Sequence, residues 1–185
     1  MISLAEITSD YRSKLIIGAY RDWVVPGKKV LDVGCGNGVV TRNLNKKFKI
    51  EITCCDLMKY IKYKFPFVLM DKKDKLPFKN KTFDMVMLND VLHHTNKKNQ
   101  GKILREALRV ANEILIFEVK PTSLGKMFDY IMNKIHNKKM EIPFSFRTLE
   151  EWIRFFKKNK VSYQVKEIEK PLFYPFKHIA FYVKE

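Results

Sequence analysis

The chain has 185 residues, of which 46% are apolar and 30% charged, and its formal net charge is +16. That balance excludes a disordered chain, and no apolar run approaches the ~18 residues of a membrane-spanning helix. Three cysteines, Cys35 and the adjacent pair Cys54 and Cys55, form neither a disulfide framework nor a C-x-x-C metal pair. With no basic start leading into an apolar run at the N-terminus, the expected setting is cytoplasmic. The basic excess invites a polyanion reading, but lysine outnumbers arginine 29 to 7 and is spread along the whole chain. Specific phosphate and base recognition leans on arginine, so a nucleic-acid partner is open but not favoured.

In chain order, apolar residues at Leu4, Ile7, Tyr11, Leu15, Ala19 and Trp23 recur at a helical period, and Pro26-Gly27 stops the pattern. A short strand, Lys29–Val33, leads into the turn Gly34-Cys35-Gly36-Asn37-Gly38 and a helix from Val39 to Lys47. Strands follow at Glu51–Cys55, ending at Asp56, and at Phe67–Met70, ending at Asp71. The segment Phe83–Leu88 reads as a fourth strand closed by Asn89-Asp90. A helix over Gln100–Ala111 precedes a strand over Glu113–Val119. The Thr122–Asn137 segment is helical in period, and Lys138–Arg147 reads as a linker. Thr148 and Glu151 form a capping box opening Leu149–Lys158. Val161–Ile168 and His178–Val183 are the last strands, and the connection between them is too short for a parallel crossover. The expected fold is therefore α/β: a three-layer sandwich with a seven-stranded, mostly parallel sheet, its last strand antiparallel, and helices on both faces.

The glycine turn selects among ligands. A dinucleotide fingerprint needs Gly or Ala where Val39 stands, and no G-K-[ST] follows for a phosphate loop. The spacing is G-x-G-x-G, with Asp32 inside the preceding strand and Asp56 at the end of the next, where an acid can accept from both ribose hydroxyls.

These residues resemble the class I S-adenosylmethionine-dependent methyltransferases. VLDVGCGNG is similar to that family's first motif, LPFKNKTFDMVMLNDVLHH to its fourth-strand motif, and the antiparallel seventh strand to its topology. The resemblance implies S-adenosyl-L-methionine as cofactor, with S-adenosylhomocysteine as its product. It also implies one domain over residues 1–185: a leading helix within 3–25, a cofactor-binding half at 26–119, a substrate-capping segment at 122–147, and a C-terminal helix and strands at 148–185. Under it, Gly34, Gly36 and Gly38 pass beneath the cofactor, with Cys35 between them, and Asp32 holds the turn and the amino group. Asp56 takes the ribose hydroxyls, Leu57 packs on the adenine, Asp71 sits near the adenine amino group, and Asn89 and Val91 line the pocket. His93 and His94 follow the fourth strand; adjacent helical residues do not share a face, so at most one should point inward. His94 is counted with the cofactor pocket and is a weak candidate for a general base; no residue is assigned firmly as catalytic, and no metal site is expected.

Methyl transfer to a small molecule or exposed group is the favoured reading. Transfer to RNA or a ribonucleoprotein, using the basic surface, is one alternative; a non-catalytic subunit or scaffold is the other. The acceptor and the oligomeric state are not specified by the sequence.

Overall fold

A computed structural model describes residues 4–136, 143, 145–169 and 174–185. Thirteen elements alternate along it. They are α1 (Leu4–Tyr20), β1 (Lys29–Val33), α2 (Val39–Phe48), β2 (Glu51–Asp56), β3 (Phe67–Leu69), β4 (Met85–Asn89), a single 3-10 turn (Leu92–His94), α3 (Lys97–Val110), β5 (Glu113–Val119), α4 (Ser123–His136), α5 (Leu149–Lys158), β6 (Ser162–Ile168) and β7 (His178–Lys184). The strands form one sheet in the order β3-β2-β1-β4-β5-β7-β6. β7 runs antiparallel to both of its neighbours, and the pairs among β1 to β5 are parallel. The short connection before β7 imposes this, as the sequence indicates. Most of the expected Lys138–Arg147 linker lies outside the described residues, as do Asn137 at the end of the expected capping helix and 170–173 in the last connection.

The central strands are apolar on both sides because helices cover both faces of the sheet. Along β4, Val86 and Leu88 join the core beneath α3 and α5, while Met85 and Met87 join the core beneath α1 and α2. β5 divides in the same way: Ile114 and Ile116 go to the first core, Leu115 and Phe117 to the second. This alternation places the charged ends of the strands. Asp32 falls on the α2 side, where Thr41 meets it, and Glu118 falls on the side of the 3-10 turn.

Two helix boundaries and one helix face depart from the sequence expectation. α1 ends at Tyr20, five residues before Val25, because the Tyr20 carbonyl accepts from the Trp23 and Val24 N–H groups and turns the chain. Trp23 then leaves the helix to stack on Tyr182 of β7 and donate to Gln164 of β6. The buried face of α1 takes only part of the apolar stripe, with Leu15 packed on the core and Ala19 buried. Ser9, Ser13, Ile16 and Tyr20 are buried, whereas Ile7 is exposed. A polar seam with α2 explains the rotation: Asn43 Nδ2 donates to Asp10 Oδ1 (2.9 Å) and Ser13 Oγ (2.7 Å). α3 starts at Lys97, one turn earlier than expected, since Asn96 accepts the first helical bonds through its carbonyl. The capping box of α5 forms as expected, with Glu151 N donating to Thr148 Oγ1 and Thr148 N to Glu151 Oε2.

Candidate active site

A cavity of about 670 Å³ opens at the C-terminal edge of the sheet, where β1, β2, β4 and β5 end. That volume lies in the range that buries a cofactor-sized ligand. One wall is the glycine turn. Gly34, Gly36 and Gly38 all have positive φ (71°, 54° and 79°), a region that L side chains resist. At Gly34 a Cβ would stand 2.8 Å from Val91 Cγ2, and at Gly38 it would stand 2.8 Å from Ile61 Cγ1. At Gly36 it would meet nothing within 4 Å. Gly36 lines the cavity, so the open side of the turn is the ligand side.

Asp56 ends β2 and ties the turn down. Its Oδ2 accepts from the Gly36 N–H (2.9 Å) and its Oδ1 from the Leu57 N–H (2.7 Å). An ionised carboxylate offers about four lone-pair sites, so each oxygen can still accept a hydroxyl from the cavity. Leu57 is partly exposed and lies beside it on the wall. Asp32 is buried and accepts from Thr41 Oγ1 at 2.6 Å. Burial lifts its carboxyl from 3.8 to about 6, against the opposing hydrogen bond from Thr41. The three cysteines are buried free thiols. Cys35 is held protonated first by its hydrogen bond with Cys54 and then by burial, which makes it cavity lining, not a nucleophile.

The opposite wall is built from residues far apart in sequence. Glu118, at the end of β5 and 2% exposed, organises it. Its Oε1 accepts from the Val91 and Leu92 N–H groups (3.0 and 2.7 Å), and its Oε2 lies 2.6 Å from His93 Nδ1. These bonds fix the 3-10 turn and the tautomer of His93, whose ring stacks on Phe146 (4.9 Å, 15°). Both histidines line the cavity, correcting the one-inward expectation. In a 3-10 turn the two rings come within 4.1 Å of each other; His93 is buried and His94 half-buried.

Next to them, Asp90 adopts φ 55° and accepts from Arg12 Nη1 of α1 at 3.1 Å. His178, at the start of β7, sits 3.9 Å from Asp90 between the rings of Phe117 and Tyr174. Burial, then the positive charge of Arg12 and the nearby His93, push it down to about 3, so it is neutral near pH 7. Asn89 accepts from Tyr20 OH at 2.8 Å, anchoring α1 over the sheet.

Asp90, His93 and Glu118 bring ligand-type atoms within 4.8 Å of one another. The 2.6 Å between Glu118 Oε2 and His93 Nδ1 is a hydrogen bond. Two ligands of one tetrahedral ion stand about 3 Å or more apart, so Glu118 and His93 as arranged are a hydrogen-bonded pair, beside Asp90 with its bond from Arg12.

Of the residues singled out in the sequence, Asp32, Gly34, Cys35, Gly36, Asp56, Leu57, Asn89, Val91 and His94 line this one cavity. Gly38 supports the turn from behind. Asp71 is exposed beyond the end of β3 and lies off the cavity wall, where Met70 takes its place. Arg12, Asp90, Glu118, Tyr174 and His178 are additions of the structure. Only Glu118 carried a signal, as an acid inside an otherwise apolar strand.

Residues 31–113 match the methyltransferase domain family. The chain is 30% identical over 109 residues to an uncharacterized protein, MJ1123, of Methanocaldococcus jannaschii, covering 57% of this chain and 52% of that one. It is 32% identical over 88 residues to cephaeline 6'-O-methyltransferase of Carapichea ipecacuanha, covering 44% and 24%. The chain thus spans about half or less of the length of these curated relatives. Among solved structures, a SAM-dependent methyltransferase of Methanosarcina mazei superposes with a TM-score of 0.65 at 16% identity, covering 89% of this chain and 95% of that one. The domain match covers just under half of the chain, and the superposition, at 16% identity, shows a shared fold.

Proposed function

We propose that this protein transfers a methyl group from S-adenosyl-L-methionine to a small organic acceptor that enters the cavity beside the 3-10 turn. The observation that carries this reading is one cavity with two unlike walls. A glycine turn with two acids stands on one side, and an aromatic and histidine-rich surface on the other. The residues present fit the cofactor: open space over Gly36, spare acceptor capacity on Asp56, and a buried acid at Asp32.

Bound there, the cofactor supplies an electrophilic methyl on a sulfonium. Its chemistry would be a displacement in which the acceptor's lone pair bonds the methyl carbon and the carbon–sulfur pair returns to sulfur. The chain's residues need to align the acceptor within ~3–3.5 Å and exclude water. Asp32 would hold the amino group, Asp56 the ribose hydroxyls, and Leu57 one face of the adenine. Val91 and Asn89 fill the side facing β4. An acceptor that carries a proton must release it, and His94, half-buried on the wall, is the base assigned to that role; His93 is committed through Nδ1 to Glu118.

Methyl-labelled cofactor, added with the protein to fractionated cell extract, tests the reading. Label in the low-mass organic fraction is the expected result; label in RNA alone overturns it.

A further inference from the structure

We propose that the second wall of the cavity is built to receive an electron-rich aromatic ring, and that the acceptor is a small phenol. Five ring side chains line that wall: His93, His94, Tyr174, Phe176 and His178. Two of them are backed by phenyl groups. Phe146 stacks on His93 (4.9 Å, 15°), and Phe117 stacks on His178 (4.5 Å, 24°). Tyr174 stacks on His178 in turn (5.7 Å, 22°) and meets Phe176 edge to face at 5.4 Å. Tyr11 of α1 stands 5.0 Å from Tyr174 and holds that ring in place. The wall is thus a fixed group of packed rings, contributed by the 3-10 turn, the approach to β7 and the first residue of β7.

Stacking decides what a ligand meets. With Phe117 and Tyr174 on its faces, His178 turns an edge to the cavity, and Phe146 takes one face of His93. Ring edges carry the positive end of the aromatic quadrupole, so they attract the π-face of another ring, more strongly as that ring grows richer in electrons. Charge disfavours the other acceptors. Arg12 and Asp90, beside His178, are paired at 3.1 Å, so an ammonium would meet Arg12 and a carboxylate Asp90. His178 itself is neutral near pH 7, since burial and then the Arg12 cation push it down to about 3. An alkyl chain would find little of its own kind. Among the described residues, Val119 is the one aliphatic side chain that β5 and β7 add to the lining.

The hydroxyl follows from His94, which lies in the same wall. A phenol has a proton to release, and a base beside the ring gives that proton a destination. On the methyl-transfer reading, on which this step alone rests, the phenol oxygen would bond the methyl carbon. The carbon–sulfur pair would return to sulfur, and the phenolic proton would pass to His94.

Binding of 2-naphthol and of decahydro-2-naphthol, which keeps the skeleton and hydroxyl but has no aromatic electrons, tests the site without any need for turnover. Calorimetry with each probe, with and without S-adenosylhomocysteine, should give 2-naphthol the tighter affinity by at least about two- to tenfold. Tyr174→Leu, checked for folding by urea unfolding, should weaken 2-naphthol by about two- to tenfold and spare the saturated probe. A change that only loosened the chain before β7 would weaken both probes alike. Equal affinity of wild type for the two probes overturns the proposal, as does binding of neither, or a folded variant that loses both equally. A wild type that prefers 2-naphthol but binds no S-adenosylmethionine would sink the methyl-transfer reading and leave the aromatic site standing. Methyl transfer by a protein with no preference for the ring would do the reverse.

Discussion

At Gly34 the backbone angle and a neighbour make the same demand. A residue with a Cβ at φ 71° bears a left-handed cost of ~1–2 kcal/mol, and that Cβ would press into Val91 at 2.8 Å. Gly34→Ala is therefore expected to destabilise the protein in urea unfolding by more than the left-handed cost alone. Adding Val91→Ala should recover the steric part and leave the backbone part. Asp32 gives a pH-dependent test. Its folded carboxyl titrates near 6 against 3.8 when unfolded, so the folded state holds the proton more tightly. That contribution is complete below about pH 4 and is lost as pH rises through 6, by up to roughly 3 kcal/mol. Comparing wild type with Asp32→Asn isolates it from His178, whose contribution runs the other way: present above 6.5 and lost as pH falls toward 3. Unfolding curves at pH 4 and pH 7 should show the variant gaining on wild type at the higher pH. Parallel behaviour would contradict the burial of Asp32. The glycine turn, Asp32, Asp56 and Leu57 were legible in the sequence because they are local to one strand–turn–helix unit and the strand beside it. Asp90, His178 and Arg12 were not, because they meet only through sheet register, which pairs Val119 with His178, and through the way α1 lies across the sheet.

The 3-10 turn after β4 depends on one side chain of another element. Glu118 accepts two of its backbone N–H groups and bonds His93, all away from water. Glu118→Gln removes the charge from these bonds and turns an amide donor toward groups that need an acceptor. A loss of roughly 1.5–3 kcal/mol is expected in chemical denaturation. In a double-mutant cycle with His93→Ala the two losses should be less than additive, since they share one bond. Additive losses would show the pair to be uncoupled. Element by element, α5 was readable to the residue, since its capping box is a short-range code that the structure repeats bond for bond. The buried face of α1 was not. Periodicity weights apolar residues, and here Ser9 and Ser13 go inward because Asn43 of α2 offers hydrogen bonds that no pattern within α1 announces. The rule that adjacent helical residues diverge misled for His93 and His94, because a tight turn ending in a cavity exposes both rings to it.

For the whole molecule, the antiparallel β7 followed from one length, the short stretch between the last two strands, and that length also settles where the sheet ends. Order along the sheet then brings β1, β2, β4 and β5 to a common edge and makes the cavity one site. One wall of that site is written in the edge; the second is assembled from α1, β5 and β7. Among the described residues no helix is long and apolar enough to cross a membrane. The central claim is that the Asp56 carboxylate and the glycine turn bind S-adenosylmethionine. Calorimetry with S-adenosylmethionine on wild type and Asp56→Ala, both checked for folding by urea unfolding, tests it most directly. The expected result is one-to-one binding by wild type and a tenfold to roughly hundredfold weaker affinity in the variant, the loss of hydrogen bonds to a charged acceptor. No binding by folded wild type, or equal binding by both, would contradict it.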